Sequence, residues 1–270
     1  MRSSFAVTMN SMSSAIAALE MRHGVPLFNR VGRRIELTEA GRMFLDEARA
    51  VLGRAAHAEL TLAEFGGLKR GTLKLVASQT IASYWLPPRL AKFHARFPQI
   101  AVELAIDNTE GAAQRVLVGA SELGFVEGVI DEPALAHWPV DHDRMALVSA
   151  KKIESIDDDW IRGAKWIVRE KGSGTRSSFE QILQHRGIDP AQLDVAMTLP
   201  SNEAVRTAVE ANAGVAVLSA LVVARAAKAG DLHELPLDLP ERPFHAIRHK
   251  ERYRTRAADA LTDLIKDSKK

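Results

Sequence analysis

Thirty consecutive residues, Met12 to Gly41, carry a succession of local signals that few folds can accommodate. Met12, Ile16 and Leu19 recur at helical spacing and give one buried face, while Ser11, Ser13 and Ser14 fall largely elsewhere and keep their hydroxyls free. Gly24 stops that helix. Phe28 to Leu37 then reads as a short hairpin with Gly32 in its turn and Arg30, Arg33 and Arg34 around it. The run closes on Leu37-Thr38-Glu39-Ala40-Gly41, where Thr38 is placed to cap a second helix.

A hydroxyl-bearing helix followed by an arginine-bearing ribbon is the back half of a winged helix-turn-helix. Small hydroxyl side chains let a helix sit deep in the major groove, and guanidinium groups on a hairpin can reach phosphates or the minor groove. Taken alone, the helix is an ordinary serine-rich amphipathic element and the arginines a solvated face; their order and spacing favour nucleic acid. The helix capped by Thr38 should run to about Phe65, with Phe44, Ala48, Val51, Leu52, Ala55, Leu62 and Phe65 as an apolar stripe. At 1.5 Å per residue it would reach about 40 Å, and a stripe of that length needs a partner, either another copy or an internal core. Gly66-Gly67 and Lys69-Arg70-Gly71 break the pattern and read as a hinge.

The 270 residues and an apolar fraction of 46% allow one small module and a larger domain. There is no run of eighteen apolar residues and no signal-peptide pattern, so a cytoplasmic protein with no membrane partner is expected. The absence of cysteine removes disulfides, thiolate nucleophiles and sulfur-based sensing. His245 and His249 could share a strand face, but no third ligand stands at metal spacing; neither metal nor cofactor is expected. The net charge of +2 conceals an asymmetry: residues 1–70 hold ten Lys/Arg against seven acids and residues 248–270 hold eight against four, leaving an acidic middle. A basic front suits phosphates, and an acidic remainder keeps the bulk of the chain off DNA.

Beyond Gly71, strands alternate with helices: Leu73 to Ala77, a helix from about Pro87 to Arg96, Ala101 to Ile106, a helix from Gly111 to Val118, and Leu123 to Val126. This implies a parallel sheet with helices on both faces. A second α/β unit follows, with strands near Met145 to Ser149, Trp166 to Arg169, Val195 to Thr198 and Val215 to Ser219. Phe244 to Arg248 and a helix near Thr255 to Asp267 return the chain to the first unit. The fold class is therefore a two-lobed α/β domain over 71–270, with lobe I about 71–142 and 248–270 and lobe II about 143–247.

Ligands of open α/β sheets bind beyond the carboxyl ends of strands, so the interlobe cleft is the expected site. From lobe I, Ser78-Gln79-Thr80 follows the first strand with hydroxyls, an amide and free backbone N–H groups. From lobe II, Arg169-Glu170-Lys171-Gly172-Ser173-Gly174-Thr175-Arg176 precedes a helix running from Ser177 to His185. Unpaired N–H groups at a helix start favour an anion, and glycine permits close approach. The loop lacks the Lys-Ser/Thr of a nucleotide P-loop, and no G-x-S-x-G elbow is present. Glu127, at a strand end, either faces the cleft, where Arg169 or Arg176 compensates it or it is protonated, or pairs outside it. Ser201-Asn202 is read as the cap of a helix running to Asn212.

These parts together resemble the LysR-type transcriptional regulators over nearly the whole chain. The resemblance implies a periplasmic-binding-protein-like effector domain and an N-terminal winged helix-turn-helix with DNA contacts at Ser13, Ser14, Arg30, Arg33 and Arg34. It also implies a linker helix that pairs with its copy in a dimer or tetramer. Effector contacts would fall on Ser78, Gln79, Thr80, Glu127, Arg169, Ser173, Gly174, Thr175 and Arg176. Domain limits follow as 1–65 for the DNA-binding unit with its linker helix, 66–70 for the hinge and 71–270 for the effector domain. The wording at Asn108-Thr109, Gly124 to Gly128 and Arg169 to Arg176 looks like a branch controlling sulfur and carbon metabolism, which implies a small anion such as sulfite or sulfate, a small organic acid or a phosphate ester. Two departures stand out: the family often has glutamine where Met9 falls and a basic residue where Ser14 falls. It also carries a further helix ahead of the recognition helix, for which Met1 to Phe5 leaves no room, so an upstream start is expected and DNA binding by the chain as numbered should be weak.

A solute-binding protein would share the two lobes but should carry a signal peptide and lack the arginine hairpin. An enzyme such as a dehydratase or transferase would need a convergent acid, base or metal set, which the sequence does not offer.

Overall fold

The computed structural model describes residues 14–31, 34–64, 71–128 and 130–267. The chain divides into two compact units, Met1–Ala55 and Ala56–Lys270. The glycines and basic residues expected to form the hinge, 66–70, lie outside the described residues.

In the first unit residues 14–23 form helix α1, and Phe28–Val31 (β1) pairs antiparallel with Arg34–Leu37 (β2). The Glu20 carboxylate accepts from the backbone N–H groups of Leu27 (2.7 Å) and Phe28 (3.2 Å), which fixes the entry of the ribbon against the helix. Helix α2, Glu39–Glu64, starts where the sequence places it: Thr38 Oγ1 accepts from the N–H of Gly41 (2.8 Å) and donates to the Pro26 carbonyl (2.8 Å). Losing such a cap typically costs about 1 kcal/mol. A side chain at 41 would run into the carbonyl of buried Leu27, so the spacing of the Thr-Glu-Ala-Gly run is a packing requirement.

The second unit holds two lobes. Lobe I is a five-stranded sheet in the order β4-β3-β5-β12-β6, built from Gly71–Ser78 (β3), Ile100–Asp107 (β4), Leu123–Glu127 (β5), Leu135–Asp143 (β6) and Arg242–His249 (β12). Period-two alternation sorts its side chains: Leu73, Leu75 and Ala77 join one core, and Val76 points into the other. The first core is closed by a π-type turn at Ile81–Trp85, by Pro87–Arg96 (α3) and by Arg256–Asp267 (α9); the second is closed by Thr109–Leu117 (α4).

In lobe II, Met145–Ser149 (β7) pairs antiparallel with Ala216–Ser219 (β10) and with His233–Glu234 (β11). Lys165–Arg169 (β8) pairs parallel with Asp194–Leu199 (β9), and a parallel bridge from Trp166 to Val215 joins the two pairs. Met145 and Leu147 face the core under Asp158–Gly163 (α5) and Gly174–His185 (α6). Ala146 and Val148 face that under Asn202–Glu210 (α7) and Ala220–Ala229 (α8).

Two expectations need correction. Lobe I is not wholly parallel: β3, β4 and β5 are, but β12 runs antiparallel to both β5 and β6, because it enters the sheet only after lobe II is complete. For the same reason lobe II ends before Arg242 rather than at 247, since β12 is a strand of the lobe I sheet. The chain thus crosses between lobes twice, between β6 and β7 and again ahead of β12. Arg242 stands opposite Asp143 in the strand register, so the two crossovers lie side by side.

Candidate effector cleft and DNA-contact elements

The carboxyl ends of β3 and β5 and of β8 deliver Ser78, Glu127 and Arg169 to the junction of the lobes, all buried. Ser78 donates its hydroxyl to Glu127. The Glu127 carboxylate faces Arg242 at 3.8 Å, so the compensating cation is Arg242 rather than the expected Arg169 or Arg176. Arg242 binds Asp143 through Nε (2.8 Å) and a terminal nitrogen (2.7 Å), and its other terminal nitrogen donates to Thr175 Oγ1 at 3.3 Å. Ser219 completes this cluster by donating to Asp143 (2.7 Å) while capping α8.

A second cluster lies beside it. Arg169 donates to both carboxylate oxygens of Glu170 at 2.8 Å each and to the Asn202 side-chain carbonyl. Asn202 in turn donates to Thr80 Oγ1 at 3.0 Å. Burial alone would raise the Glu170 carboxyl, but the bonds and charge of Arg169, with help from the Glu170 backbone and Asn108, hold it below the ordinary carboxylate value. Ser201 takes the capping role expected of the Ser201-Asn202 pair, accepting from the Ala204 N–H at 3.0 Å, and this frees Asn202 to point inward.

The lobes are drawn together along this seam. Gln79 donates to the Pro200 carbonyl (2.9 Å) and accepts from the Asn202 N–H (2.9 Å), bridging lobe I to lobe II with one amide. Tyr84 donates to Glu203 at 3.1 Å, and burial, then the Glu203 charge, pushes its hydroxyl above the ordinary tyrosine value. On the other side the Glu110 N–H donates to the Gly172 carbonyl at 3.2 Å, and Gly174 packs onto the Glu127 carbonyl.

Most of the expected effector residues are thus brought to one place: Ser78, Gln79, Thr80 and Glu127 from lobe I, and Arg169, Ser173, Gly174 and Thr175 from lobe II. Arg176 stands apart, with its guanidinium on Glu180 (2.7 Å) and on the Arg169 carbonyl (3.2 Å). Sequence reasoning missed Arg242, Asp143 and Ser219, and it read Asn202 only as part of a cap. Among the described residues no group of three or more His, Asp or Glu could hold a metal ion. His245 packs edge-on to His137 at 5.4 Å, and burial, then the neighbouring His137 and His142, lowers its pKa.

In the first unit Ser14 is exposed on α1, and Arg30 and Arg34 are exposed on the ribbon. Arg30 pairs with Ile35 and Arg34 with Val31, so the two arginines project from opposite faces of the ribbon. Ser13 and Arg33 lie outside the described residues.

Residues 66–270 match the model of the LysR substrate binding domain, and residues 4–42 match that of the bacterial regulatory helix-turn-helix protein, lysR family. The chain belongs to the LysR family. It is 30% identical over 264 residues to the HTH-type transcriptional regulator YeiE of Escherichia coli (strain K12), a match spanning 96% of this chain and 88% of that one. Full-length CbnR in complex with its target DNA superposes with a TM-score of 0.70 at 20% identity, covering 96% of this chain and 90% of that chain. The regulatory domain of CcmR from Synechocystis PCC6803, in complex with 2-PG, gives 0.67 at 22% identity, covering 74% and 98%. This LysR-type protein is therefore a transcriptional regulator with a DNA-binding unit and a ligand-binding domain. The helix-turn-helix match sets aside a plain solute-binding protein of the same lobes. No helix among the described residues is long and apolar enough to cross a membrane.

Proposed function

We propose that the interlobe cleft binds a small anionic effector and that its occupancy sets the relation of the lobes, the linker helices and the DNA-binding units. The observation that carries this reading is the burial of five hydroxyls (Ser78, Thr80, Thr109, Ser173 and Thr175) with two guanidinium groups (Arg169 and Arg242) between the lobes, at the start of α6. Orphan N–H groups at that helix start favour an anion. Glu127 repels one unless Arg242 stands between them or the ligand turns a hydroxyl toward it, so a hydroxy acid or a protonated oxyanion suits the cleft better than a bare dianion. Sulfite, sulfate, a small organic acid and a phosphate ester remain the classes to try. The CcmR domain holds 2-PG, a small ligand, in the same fold. A ligand shifts the lobes only through different affinity for their arrangements. No catalytic step is proposed, and the protein acts in the cytoplasm.

Calorimetric titration of the full chain with sulfite, sulfate, 2-PG and shikimate tests the site. At least one should bind, and Ser78→Ala or Thr175→Ala should each weaken it about tenfold or more, the cost of a lost buried hydrogen bond. Equal binding by both variants would remove these residues from the site.

The helix α2, 26 residues and about 40 Å long, exposes Met43, Phe44, Val51 and Leu52, which supports self-association of the linker helices as dimer or tetramer. Residues 66–70 serve as the hinge. Promoter DNA is held through Ser14 on α1 and through Arg30 and Arg34 on the ribbon, and Ser13 and Arg33, outside the described residues, are proposed as further contacts. Because Arg30 and Arg34 lie on opposite faces, the ribbon enters the groove edge-on and reaches phosphates on both walls. Arg30→Ala with Arg34→Ala should therefore weaken binding to all sequences alike and reduce the slope of log affinity against log salt by about two. A fluorescence-anisotropy salt series reads this; lost sequence preference at unchanged slope would assign the arginines to base reading instead.

A further inference from the structure

Lobe II carries a cavity at the opposite end of its sheet from the cleft. It lies where β7 ends and where β8 and β10 begin, about 13 Å along β8 from Arg169 at the strand rise of ~3.3 Å per residue. Its volume is about 510 Å³, within the range of small-molecule sites. Lys151, Lys152 and Lys165 line it, and no carboxylate does. None of these three lysines forms an ion pair with a described residue, although acidic side chains stand nearby in sequence: Asp158 and Asp159 are taken by Arg186 and Arg162.

The inner wall is of another character. Ile153, Ala164 and Val215 form an apolar floor. Half-buried Trp160 also lines the cavity, its ring roughly perpendicular to that of Trp166 at 6.5 Å. Gathering three like charges is unfavourable without a counter-ion, and ammonium groups are point-charge binders of phosphate. An aromatic wall beneath such a rim suits a flat ring.

We infer that this cavity is a second ligand site of lobe II, taking a phosphorylated compound with an aromatic ring, of the nucleoside monophosphate class. The phosphate lies among Lys151, Lys152 and Lys165, and the ring lies against Trp160. The site is separate from the effector cleft and shares no residue with it.

Calorimetric titration of the full chain with AMP, adenosine and inorganic phosphate tests this. AMP should bind saturably, with adenosine and phosphate each at least ~10-fold weaker because each supplies one half of the contact. The triple variant Lys151→Ala, Lys152→Ala, Lys165→Ala changes only exposed side chains and should keep its unfolding midpoint, yet lose AMP affinity by ~10-fold or more. Trp160→Phe should retain binding that Trp160→Ala loses. Absence of saturable AMP binding at about 10 mM, a ligand level far above useful affinity, would overturn the proposal. So would AMP binding unaffected by the lysine variant but abolished by Ser78→Ala, which would put the nucleotide in the cleft. Loss of DNA affinity in the lysine variant without AMP binding to the parent would overturn it in favour of a nucleic-acid contact.

Discussion

Arg242→Met should destabilise the effector domain by about 3–5 kcal/mol, the usual cost of stripping one partner from a buried ion pair. Arg242 is 5% exposed, Asp143 3% and Glu127 2%, so removing the guanidinium leaves two buried carboxylates without their cation, each keeping a serine hydroxyl as a donor. Asp143 and Arg242 are also the last and first residues of β6 and β12, the strands from which the chain leaves and re-enters lobe I. Their bond therefore clamps the two crossovers, while Ser219 and Thr175 tie lobe II to the clamp. Urea unfolding followed by tryptophan fluorescence measures the loss. A second change, Asp143→Leu added to Arg242→Met, should return part of it, since it removes one of the two stranded carboxylates and leaves Glu127 buried without its cation. A loss below about 1 kcal/mol in the single variant would show that solvent reaches the cluster and that the crossovers are held by other contacts.

The same pair marks the limit of what the residues reveal in order. Elements whose signals are local were legible: α3 spans the expected Pro87–Arg96, α2 begins at its Thr38 cap, and β3, β4 and β5 follow the alternation of apolar and polar positions. The two turns that carry Ser78, Thr80, Ser173 and Thr175 were legible as turns between a strand and a helix, where hydroxyls either cap the helix or face a ligand. Arg242 was not, for it sits in the run Pro240-Glu241-Arg242-Pro243, which has the composition of a surface loop, and its partner is 99 residues away. Strand β6 was hidden by Pro139; a proline denies a ladder donor, and the structure accommodates it by making β6 the outermost strand. Asn202 was obscured by Ser201, since either could cap α7 and only the approach of Thr80 and Arg169 decides which one turns inward. Arg242 and Asn202 were missed because each makes its contact between lobes or crossovers, and such contacts have no sequence period.

Gly174→Ala isolates that interlobe contact from everything local. Position 174 opens α6, where alanine favours the helix over glycine by up to about 1 kcal/mol, so within lobe II alone the change should stabilise. Across the cleft it should do the reverse. An added methyl would collide with the Glu127 carbonyl and would stand 2.6 Å from Thr109 Oγ1. Neither neighbour can yield freely: Thr109 Oγ1 donates to that same carbonyl at 2.6 Å, and Glu127 is the last residue of β5. The lobes must then separate, which pulls Thr175 from Arg242, and Glu110 from Gly172. The expected result is effector binding weakened ~100-fold, as for loss of two buried hydrogen bonds and their alignment, with the urea midpoint slightly lowered because the helix gain offsets only part of that loss. Small-angle scattering should show a larger radius of gyration for the variant than for the parent at saturating ligand. Parental affinity with parental dimensions would mean that the lobes need not approach at Gly174 to hold the effector, and the mechanism of lobe closure would fall with it.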